Sequence, residues 1–301
     1  KQGTIADYSD NDFILGIQWA LDPLVTFGVK QVPIREGADG EGLPMKEFEE
    51  LASQLQHRTL TGHAARDAII QDMEMATNEQ WNDWYRRILI KDLRCGVTHK
   101  TINKHSTMKV PVFECMLADD SKKHEKKMTG EVYVEPKLDG VRVITICDVD
   151  KDEVKMFSRN GKELTNFPKI LEQFDSMLDQ MSESMVFDGE VMSDDFQTLM
   201  REIHRKGGAK TDDAVLNLFD CMPLEYFKEG SYPYALNTRK ELLQSFTYGP
   251  NISIVEFVAM DLDDDDGQKQ FADYNRLCID KGFEGIMVKP VTGIYECKRS
   301  S

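Results

Sequence analysis

The sequence lacks any uninterrupted run of the roughly 20 apolar residues that a membrane-spanning helix requires. Its N-terminal residues, Lys1, Gln2, Gly3 and Thr4, also lack the apolar core of a secretory signal peptide. These two absences predict a soluble, intracellular protein without a membrane partner. We expect it in the cytoplasm, which would be the host cytoplasm if the source is viral.

Closely spaced cysteine pairs are also missing. The six cysteines contain no C-x-x-C pair, which argues against both a structural zinc site and a disulfide framework. We therefore expect reduced thiols at all six positions, namely Cys95, Cys115, Cys147, Cys221, Cys278 and Cys297.

An overall positive charge is absent as well. The net charge of −16 argues against a protein that coats nucleic acid by bulk electrostatics. Residues 81–109 nevertheless contain seven Lys and Arg against two acidic residues. This basic segment is either a solvated helix face, which is the usual meaning of such a run, or a local phosphate-binding surface.

At roughly 100 to 200 residues per domain, a chain of 301 residues suggests two domains. The spacing of its hydrophobic residues also differs between a first and a second part. The first part has helical spacing, and Thr77 with Gln80 forms a capping box. We assign the aromatic stripe in the helix that follows this box to core packing rather than to base stacking. One predicted apolar face comprises Met45, Phe48, Leu51, Ala52 and Leu55, and the other comprises Trp81, Trp84, Tyr85 and Ile88.

The second part is rich in predicted strands. Residues 119–130 are highly charged without an apolar period, which favours an interdomain connection. We predict an all-α domain over 1–120, a linker over 121–130 and an α+β domain over 131–301. The predicted strands cover 132–136, 141–149, 154–158, 185–192, 215–221, 252–260 and 285–289, and the predicted amphipathic helices cover 170–181 and 271–278.

Five short motifs carry the chemistry. Residues 135–142 read Glu-Pro-Lys-Leu-Asp-Gly-Val-Arg, and the Lys-x-Asp-Gly within them is weak evidence alone because it also suits a hairpin turn. Four more motifs follow in order. They are Phe-Ser-Arg-Asn-Gly at 157–161, Phe-Asp-Gly-Glu at 187–190, Leu-Phe-Asp at 218–220 and Glu-Gly-Ile-Met-Val-Lys at 284–289.

Together these motifs resemble the series of the covalent nucleotidyltransferases, and the chain most resembles ATP-dependent DNA ligases of the T-even bacteriophage type. Residues 60–65 and 91–97 look like segments of the helical DNA-binding domain of those ligases. The resemblance implies an all-α DNA-binding domain and an adenylation domain of the ATP-grasp-like ligase type, built on antiparallel sheets. It also favours phosphate contact for the basic segment, with candidates Arg86, Arg87, Lys91, Arg94, Lys100 and Lys104.

The same resemblance assigns the reacting groups. It makes Lys137 the amine that attacks the α-phosphate of ATP, and a lysine amine is nucleophilic only when neutral. Lys289 is implied to hold the α-phosphate, where its charge would also favour the neutral amine. Glu284 is implied to position Mg²⁺ with help from Glu190, since hard cations prefer carboxylate and phosphate oxygens. Glu190 is also implied to approach the ribose.

The remaining nucleotide contacts follow from the resemblance too. Phe219 would stack on adenine, and Glu135 would read the adenine amino group. Arg142 and Arg159 would lie near the ribose and the incoming 5′-phosphate. The implied reaction has three steps, namely adenylation of Lys137, transfer of AMP to the 5′-phosphate at a nick in double-stranded DNA, and attack by the 3′-hydroxyl. We expect a monomer and leave a sliding-clamp partner open.

The resemblance does not extend beyond Ser301. Related ligases continue into a lysine-rich motif and an OB-fold domain, so we expect the 301-residue chain alone to adenylate slowly and to seal nicks poorly. Two alternatives within the superfamily are an RNA ligase and an mRNA capping guanylyltransferase, which the helical first half disfavours. From another class, an inactive DNA-binding scaffold would have no use for Lys137, Glu284 and Lys289.

Overall fold

A computed structural model of the chain describes residues 11–29, 31–96, 98–105, 110, 112–124, 127–193 and 213–299, except for the side chains of Asn11 and Lys100. Internal contacts divide the chain into an N-terminal unit, residues 1–113, and a C-terminal unit, residues 114–301. The sequence places this division at residue 120 instead. Residues 114–118 fall in the C-terminal unit because Leu117 forms a parallel bridge with Arg299, and its amide donates to the carbonyl of Lys298 over 2.9 Å.

All regular elements in the described part of the N-terminal unit are helices. The predicted apolar face of the second helix is buried, with Phe48, Leu51, Ala52 and Leu55 in the core of the unit. Trp81, Tyr85 and Ile88 are buried in the same core and Trp84 packs against it, which confirms the assignment of the stripe to packing. The elements are α1 (Asn11–Leu21), α2 (Met45–Gln56), α3 (Gly62–Met75), a π-helical segment (Gln80–Tyr85), α4 (Arg86–Leu89) and α5 (His99–His105).

The π-helical segment begins at the predicted capping box. The Gln80 amide donates to the Thr77 hydroxyl over 3.2 Å, and the Thr77 amide donates to the Gln80 side-chain oxygen over 3.1 Å. That oxygen also accepts from the Leu43 amide over 3.0 Å. The box therefore starts the helix and also fixes the segment that leads into α2.

The C-terminal unit combines helices with strands. Its described elements are a 3₁₀ turn (Ser121–Lys123), β1 (Glu131–Pro136), β2 (Val141–Asp148), β3 (Glu153–Ser158), β4 (Glu163–Leu164), α6 (Pro168–Asp175), a 3₁₀ turn (Leu178–Gln180), β5 (Met185–Met192), β6 (Val215–Pro223), α7 (Leu224–Glu229), β7 (Ser231–Tyr232), α8 (Leu236–Gln244), β8 (Ile252–Ile254), β9 (Val258–Asp261), α9 (Asp265–Asp280), β10 (Ile286–Pro290) and β11 (Tyr295–Glu296).

These strands form three sheets. The largest has the order β4-β3-β2-β5-β6-β8 and is antiparallel except for the parallel pair β6 and β8. A second sheet has the antiparallel order β10-β1-β9, and β11 pairs with β7 in a third. Val143, Phe187, Val191 and Leu216 point from the largest sheet into a core that α6 and α8 help to close. The predicted α+β class and antiparallel sheets are confirmed for this unit.

Two predicted elements are divided in the structure. The predicted strand over 252–260 is wrong, because β8 belongs to the largest sheet whereas β9 pairs with β1 in the second sheet. The predicted helix over 170–181 ends at Asp175 and gives way to a 3₁₀ turn. Within the described residues, no helix is both long and apolar enough to cross a membrane.

Candidate active site

The motif that contains Lys137 lies against the motif at 284–289. Strand β1 pairs with β10 so that Glu135 is opposite Met287, and the pairing continues beyond the strands. The amide of Lys137 donates to the carbonyl of Gly285 over 2.9 Å, and the amide of Glu284 donates to the carbonyl of Lys137 over 3.3 Å. The amine of Lys137 contacts the carboxylate of Glu284, and both side chains are about half exposed. The predicted nucleophile is therefore accessible and held next to a carboxylate.

Glu135 lies two residues before Lys137 and is only 2% exposed. Its Oε2 is 2.5 Å from the amine of Lys289. Its Oε1 is 2.5 Å from the amine of Lys240, which is also 2% exposed. The sequence motifs did not indicate Lys240, because it lies on α8 outside all five of them.

Arg142 is held within the protein. Its Nε and Nη2 donate to the two oxygens of Asp188 over 2.8 and 2.7 Å, and Nη2 also donates to the carbonyl of Met116 over 2.8 Å. The hydroxyl of Tyr295 donates to the same carboxylate over 2.7 Å. Asp188 belongs to the motif at 187–190, yet its role as the buried partner of Arg142 was not predicted. It fixes the arginine whose guanidinium carbon lies 5.0 Å from the ring centre of Phe219.

A β-bulge places Phe219. In the ladder between β5 and β6, Asp188 is opposite Asp220 and Gly189 is opposite Leu218, so Phe219 is the additional residue without a partner. A bulge of this kind re-aims a side chain. The amine of Lys289 lies 4.7 Å from the centre of the Phe219 ring, and the guanidinium carbon of Arg142 lies 5.0 Å from it. Phe219 is thus brought to the cluster formed by Glu135 and Lys289.

Glu190 contacts the backbone just before the start of β2. One of its carboxylate oxygens accepts from the amide of Gly140 over 3.2 Å. Burial raises the pKa of Glu190 to about 7, against the opposing charge of Arg142 and the hydrogen bond from Gly140. A Cβ on Gly140 would lie 2.3 Å from the carbonyl oxygen of Val191, so the motif requires glycine at this close approach of two strands.

The predicted Mg²⁺ ligands do not form a complete site by themselves. Among the described residues, no group of three or more His, Cys, Asp or Glu side chains is arranged to hold a metal ion. Glu284 contacts Lys137, and Glu190 contacts Gly140. This arrangement fits a Mg²⁺ ion that takes most of its ligands from nucleotide phosphates and water, with one or two carboxylates from the protein.

Arg159 is a predicted nucleotide contact on an exposed turn. It lies in the turn after β3, where Gly161 donates to the carbonyl of Ser158 over 2.8 Å. Its side chain is exposed, in contrast to that of Arg142. An exposed arginine on a turn suits contact with a large substrate better than contact with a buried nucleotide.

The basic segment of the N-terminal unit divides into internal and exposed side chains. Lys91 caps the end of α1, since its amine donates to the carbonyls of Trp19 and Asp22 over 2.8 and 2.5 Å. Arg86 donates through Nε to the carbonyl of Val32 over 3.0 Å. These contacts engage the amine of Lys91 and one nitrogen of Arg86 within the unit, and the DNA contact of both residues stays a prediction.

The other candidates for DNA contact in the basic segment differ in how exposed their side chains are. Arg94 and Lys104 are exposed, whereas Arg87 is partly buried, with an Nη1 that has no hydrogen-bond partner among the described residues. The side chain of Lys100 lies outside the described residues, as does Lys109. Arg94 and Lys104 are therefore the clearest remaining candidates for phosphate contact.

Comparisons with known proteins identify relatives of the chain. Residues 97–301 match the family model for the ATP dependent DNA ligase domain. Two solved structures, Pmar-Lig_PreS3 and Pmar-Lig_Pre, match the whole chain at 46% and 45% identity, each with a TM-score of 0.64 and with 72% of its own length covered. The SPbeta prophage-derived DNA ligase-like protein LigB of Bacillus subtilis (strain 168) is 28% identical over 188 residues. That match spans 59% of this chain and 61% of the curated relative.

Proposed function

Because the chain belongs to the family of ATP-dependent DNA ligases, we propose that it adenylates itself on Lys137 and passes the AMP to the 5′-phosphate at a nick in DNA. The observation that carries this proposal is the pairing of the Lys137 segment with residues 284–289. That pairing places the amine of Lys137, the carboxylate of Glu284 and the phosphate-binding candidate Lys289 on or next to the paired strands β1 and β10.

In the first step, the neutral amine of Lys137 forms a bond to the α-phosphorus of ATP. The bond from that phosphorus to the oxygen bridging to the β-phosphate breaks, pyrophosphate leaves and the amine gives up a proton. Glu284 must release the amine before this attack, since it contacts the same nitrogen. The charge of Lys289 suits the developing charge on the α-phosphate, which is the main demand on a protein in phosphoryl transfer.

The nucleotide base would lie against Phe219, whose ring is close to Lys289. Glu135 would accept a hydrogen bond from the adenine amino group, and Glu190 would lie near the ribose. Mg²⁺ would supply positive charge to the phosphates, and Glu284 and Glu190 are the residues that would hold it. Arg142 would act through its contact with the Phe219 ring, because its guanidinium is already hydrogen-bonded to Asp188.

In the later steps, an oxygen of the 5′-phosphate at the nick bonds to the phosphorus of the lysyl-AMP, the N–P bond breaks and the Lys137 amine leaves. The 3′-hydroxyl then gives up its proton and bonds to the 5′-phosphorus, and AMP leaves as the strand is sealed. Arg159 is the exposed cation of the C-terminal unit that we assign to the 5′-phosphate. The exposed cations of the basic segment, Arg94 and Lys104, would contact the DNA backbone. The proposed partners are ATP and nicked double-stranded DNA.

Intact-protein mass spectrometry tests the first step. After incubation with ATP and Mg²⁺, the chain should gain the mass of one AMP and lose it again on addition of pyrophosphate. Lys137→Ala should gain nothing, because no other amine occupies this position. Lys281→Ala, which removes an exposed lysine at the end of α9, should behave like the unchanged chain.

Two outcomes of this experiment would contradict the proposal. An AMP adduct on Lys137→Ala would show that Lys137 is not the nucleophile. The comparison should include a fusion that adds an OB-fold domain. If neither the chain nor the fusion forms an adduct, the proposal is wrong.

A further inference from the structure

Lys240 is a buried cation that the proposed chemistry does not use. It lies on α8 between residues that close the core, and only 2% of it is exposed. Its amine is 2.5 Å from Oε1 of Glu135 and 4.9 Å from the ring centre of Phe257. A lysine is rarely buried to this degree unless it is paired, so its partner identifies its role.

That partner already has a second cation. Lys289 takes Oε2 of Glu135, and Lys240 takes Oε1. The two lysines differ in their access to substrate, because the side chain of Lys289 is 19% exposed whereas that of Lys240 is 2% exposed. Burial lowers the pKa of Lys240, and the charge of Lys289 lowers it further, against the opposing effect of Glu135. Only Lys289 is placed to leave Glu135 for a ligand.

The departure of Lys289 would leave a buried carboxylate in need of a charge partner. A buried charge without a partner is strongly unfavourable. A Glu135 side chain without a fixed contact would also be free to rotate, and a rotating carboxylate is a poor acceptor for an amino group. Lys240 prevents this, because it remains on Oε1 while Oε2 becomes free.

We propose that Lys240 is a positioning residue for base selection, which holds Oε1 of Glu135 and thereby aims its Oε2 at the adenine amino group once Lys289 has moved to the α-phosphate. This inference rests on the proposed function, which assigns Glu135 to the base and Lys289 to the phosphate. It predicts that Lys240 determines the preference for purines with a 6-amino group over purines with a 6-oxo group. The physical reason is that a carboxylate accepts from an amino group and repels an oxo group.

Equilibrium binding of ATP and of inosine triphosphate tests the role without any covalent step. The measurement is made in the presence of EDTA, on the unchanged chain and on Lys240→Met, which keeps the length of the side chain but removes its charge. Lys240→Met should lose about tenfold of the preference for ATP, as expected when a charge-assisted contact is lost. Lys240→Arg should retain most of the preference, because its guanidinium can still pair with Oε1.

Arg239→Lys is the matched structural control. Arg239 neighbours Lys240 on α8, is equally buried, and pairs with Asp220 rather than with Glu135. Its substitution should lower the thermal unfolding temperature and leave the ratio of the two affinities unchanged. A general loosening of α8 would instead change the ratio in both variants, which would overturn the proposal.

Two further variants test the inference if Lys240→Met does not fold. Glu135→Gln and the pair Glu135→Gln with Lys240→Gln replace the charges by amides of similar size. If Lys240 acts through Glu135, these two variants should show the same, weakened preference for ATP. A further loss in the double variant, or an unchanged preference in a folded Lys240→Met, overturns the inference.

The outcomes also separate this inference from the proposed function. If the unchanged chain binds ATP and inosine triphosphate equally, the assignment of Glu135 to the base fails, and the role of Lys240 fails with it. If the unchanged chain prefers ATP and folded Lys240→Met does so equally, only the role of Lys240 fails. Adenylation of Lys137 is judged separately, by the mass of the covalent adduct.

Discussion

At the scale of single residues, three carboxylates of the candidate site differ in environment although they share one chemical group. Glu135 is buried between two lysines, Glu284 is about half exposed beside Lys137, and Glu190 accepts a backbone hydrogen bond. The first environment holds a carboxylate between two cations, and the second allows a partner to be exchanged. Burial raises the pKa of Glu190 to about 7, against the hydrogen bond from Gly140, so its ionisation is sensitive to pH near neutrality.

Glu190 should therefore make stability depend on pH. Its folded pKa of about 7 exceeds its ordinary value of 4.5, so the folded state holds this proton more tightly than the unfolded state. Its contribution is fully present below pH 4.5 and is lost as pH rises through 7, up to about 3 kcal/mol. In urea unfolding at a series of pH values, Glu190→Gln should remove this loss. Glu163→Gln, at an exposed position on β4, should keep it, and equal pH profiles for the unchanged chain and Glu190→Gln would contradict the assignment.

The residues that the sequence could and could not predict differ in where their partners lie. The short motifs indicated Lys137, Glu284 and Lys289, and the structure places these residues on or next to the paired strands β1 and β10. Lys240 carries no such signal, because a lysine beside an arginine on a helix ordinarily indicates a solvated face. Only its burial against Glu135, which is 105 positions earlier in the chain, distinguishes it. The roles of the site residues remain predictions.

At the scale of elements, local patterns predicted the strands that form ladders with sequence neighbours. The predicted range 185–192 coincides with β5, and β2 and β3 differ from their predicted ranges by one residue at one end. The predicted strand over 252–260 is wrong for a tertiary reason. The amide of Val255 donates to the carbonyl of Leu218 at the end of the pairing with β6, after which the chain crosses to β1. Apolar spacing cannot show that a strand changes sheets.

The capping box at the start of the π-helical segment should stabilise the N-terminal unit. Gln80→Ala removes the acceptor of the Thr77 and Leu43 amides, so the free energy of unfolding should fall by about 1 to 2 kcal/mol. Chemical denaturation of the isolated chain measures this change. Glu79→Ala, at the exposed neighbouring position, should have little effect, and equal stabilities for the two variants would show that the box contributes nothing.

At the scale of the whole molecule, charge is unevenly distributed along the chain. A net charge of −16 disfavours binding to DNA in general, so contact must depend on a few exposed cations. In the described part of the basic segment, Lys91 and Arg86 are engaged within the unit, whereas Arg94 and Lys104 are exposed. A small number of phosphate contacts predicts binding that is weak and sensitive to salt.

Salt titration of binding to a nicked duplex tests this expectation. Arg94→Ala and Lys104→Ala should each weaken binding, and each should reduce the slope of log affinity against log salt by roughly 1. Lys91→Met should lower stability, because it removes the cap of α1, but should leave the slope unchanged in the folded protein. A reduced slope in Lys91→Met together with unchanged slopes in the other two would reverse the assignment.

The pairing of β1 with β10 has a further consequence for how the protein is made. Lys289 follows its partner Glu135 by 154 residues, and Tyr295 follows Asp188 by 107. A ribosome releases Lys137 long before it releases these partners, and contacts between such distant residues form late. Under the proposed function, a nascent chain would therefore carry Lys137 without the groups that orient a nucleotide around it. We expect an unfinished chain not to consume ATP for this reason.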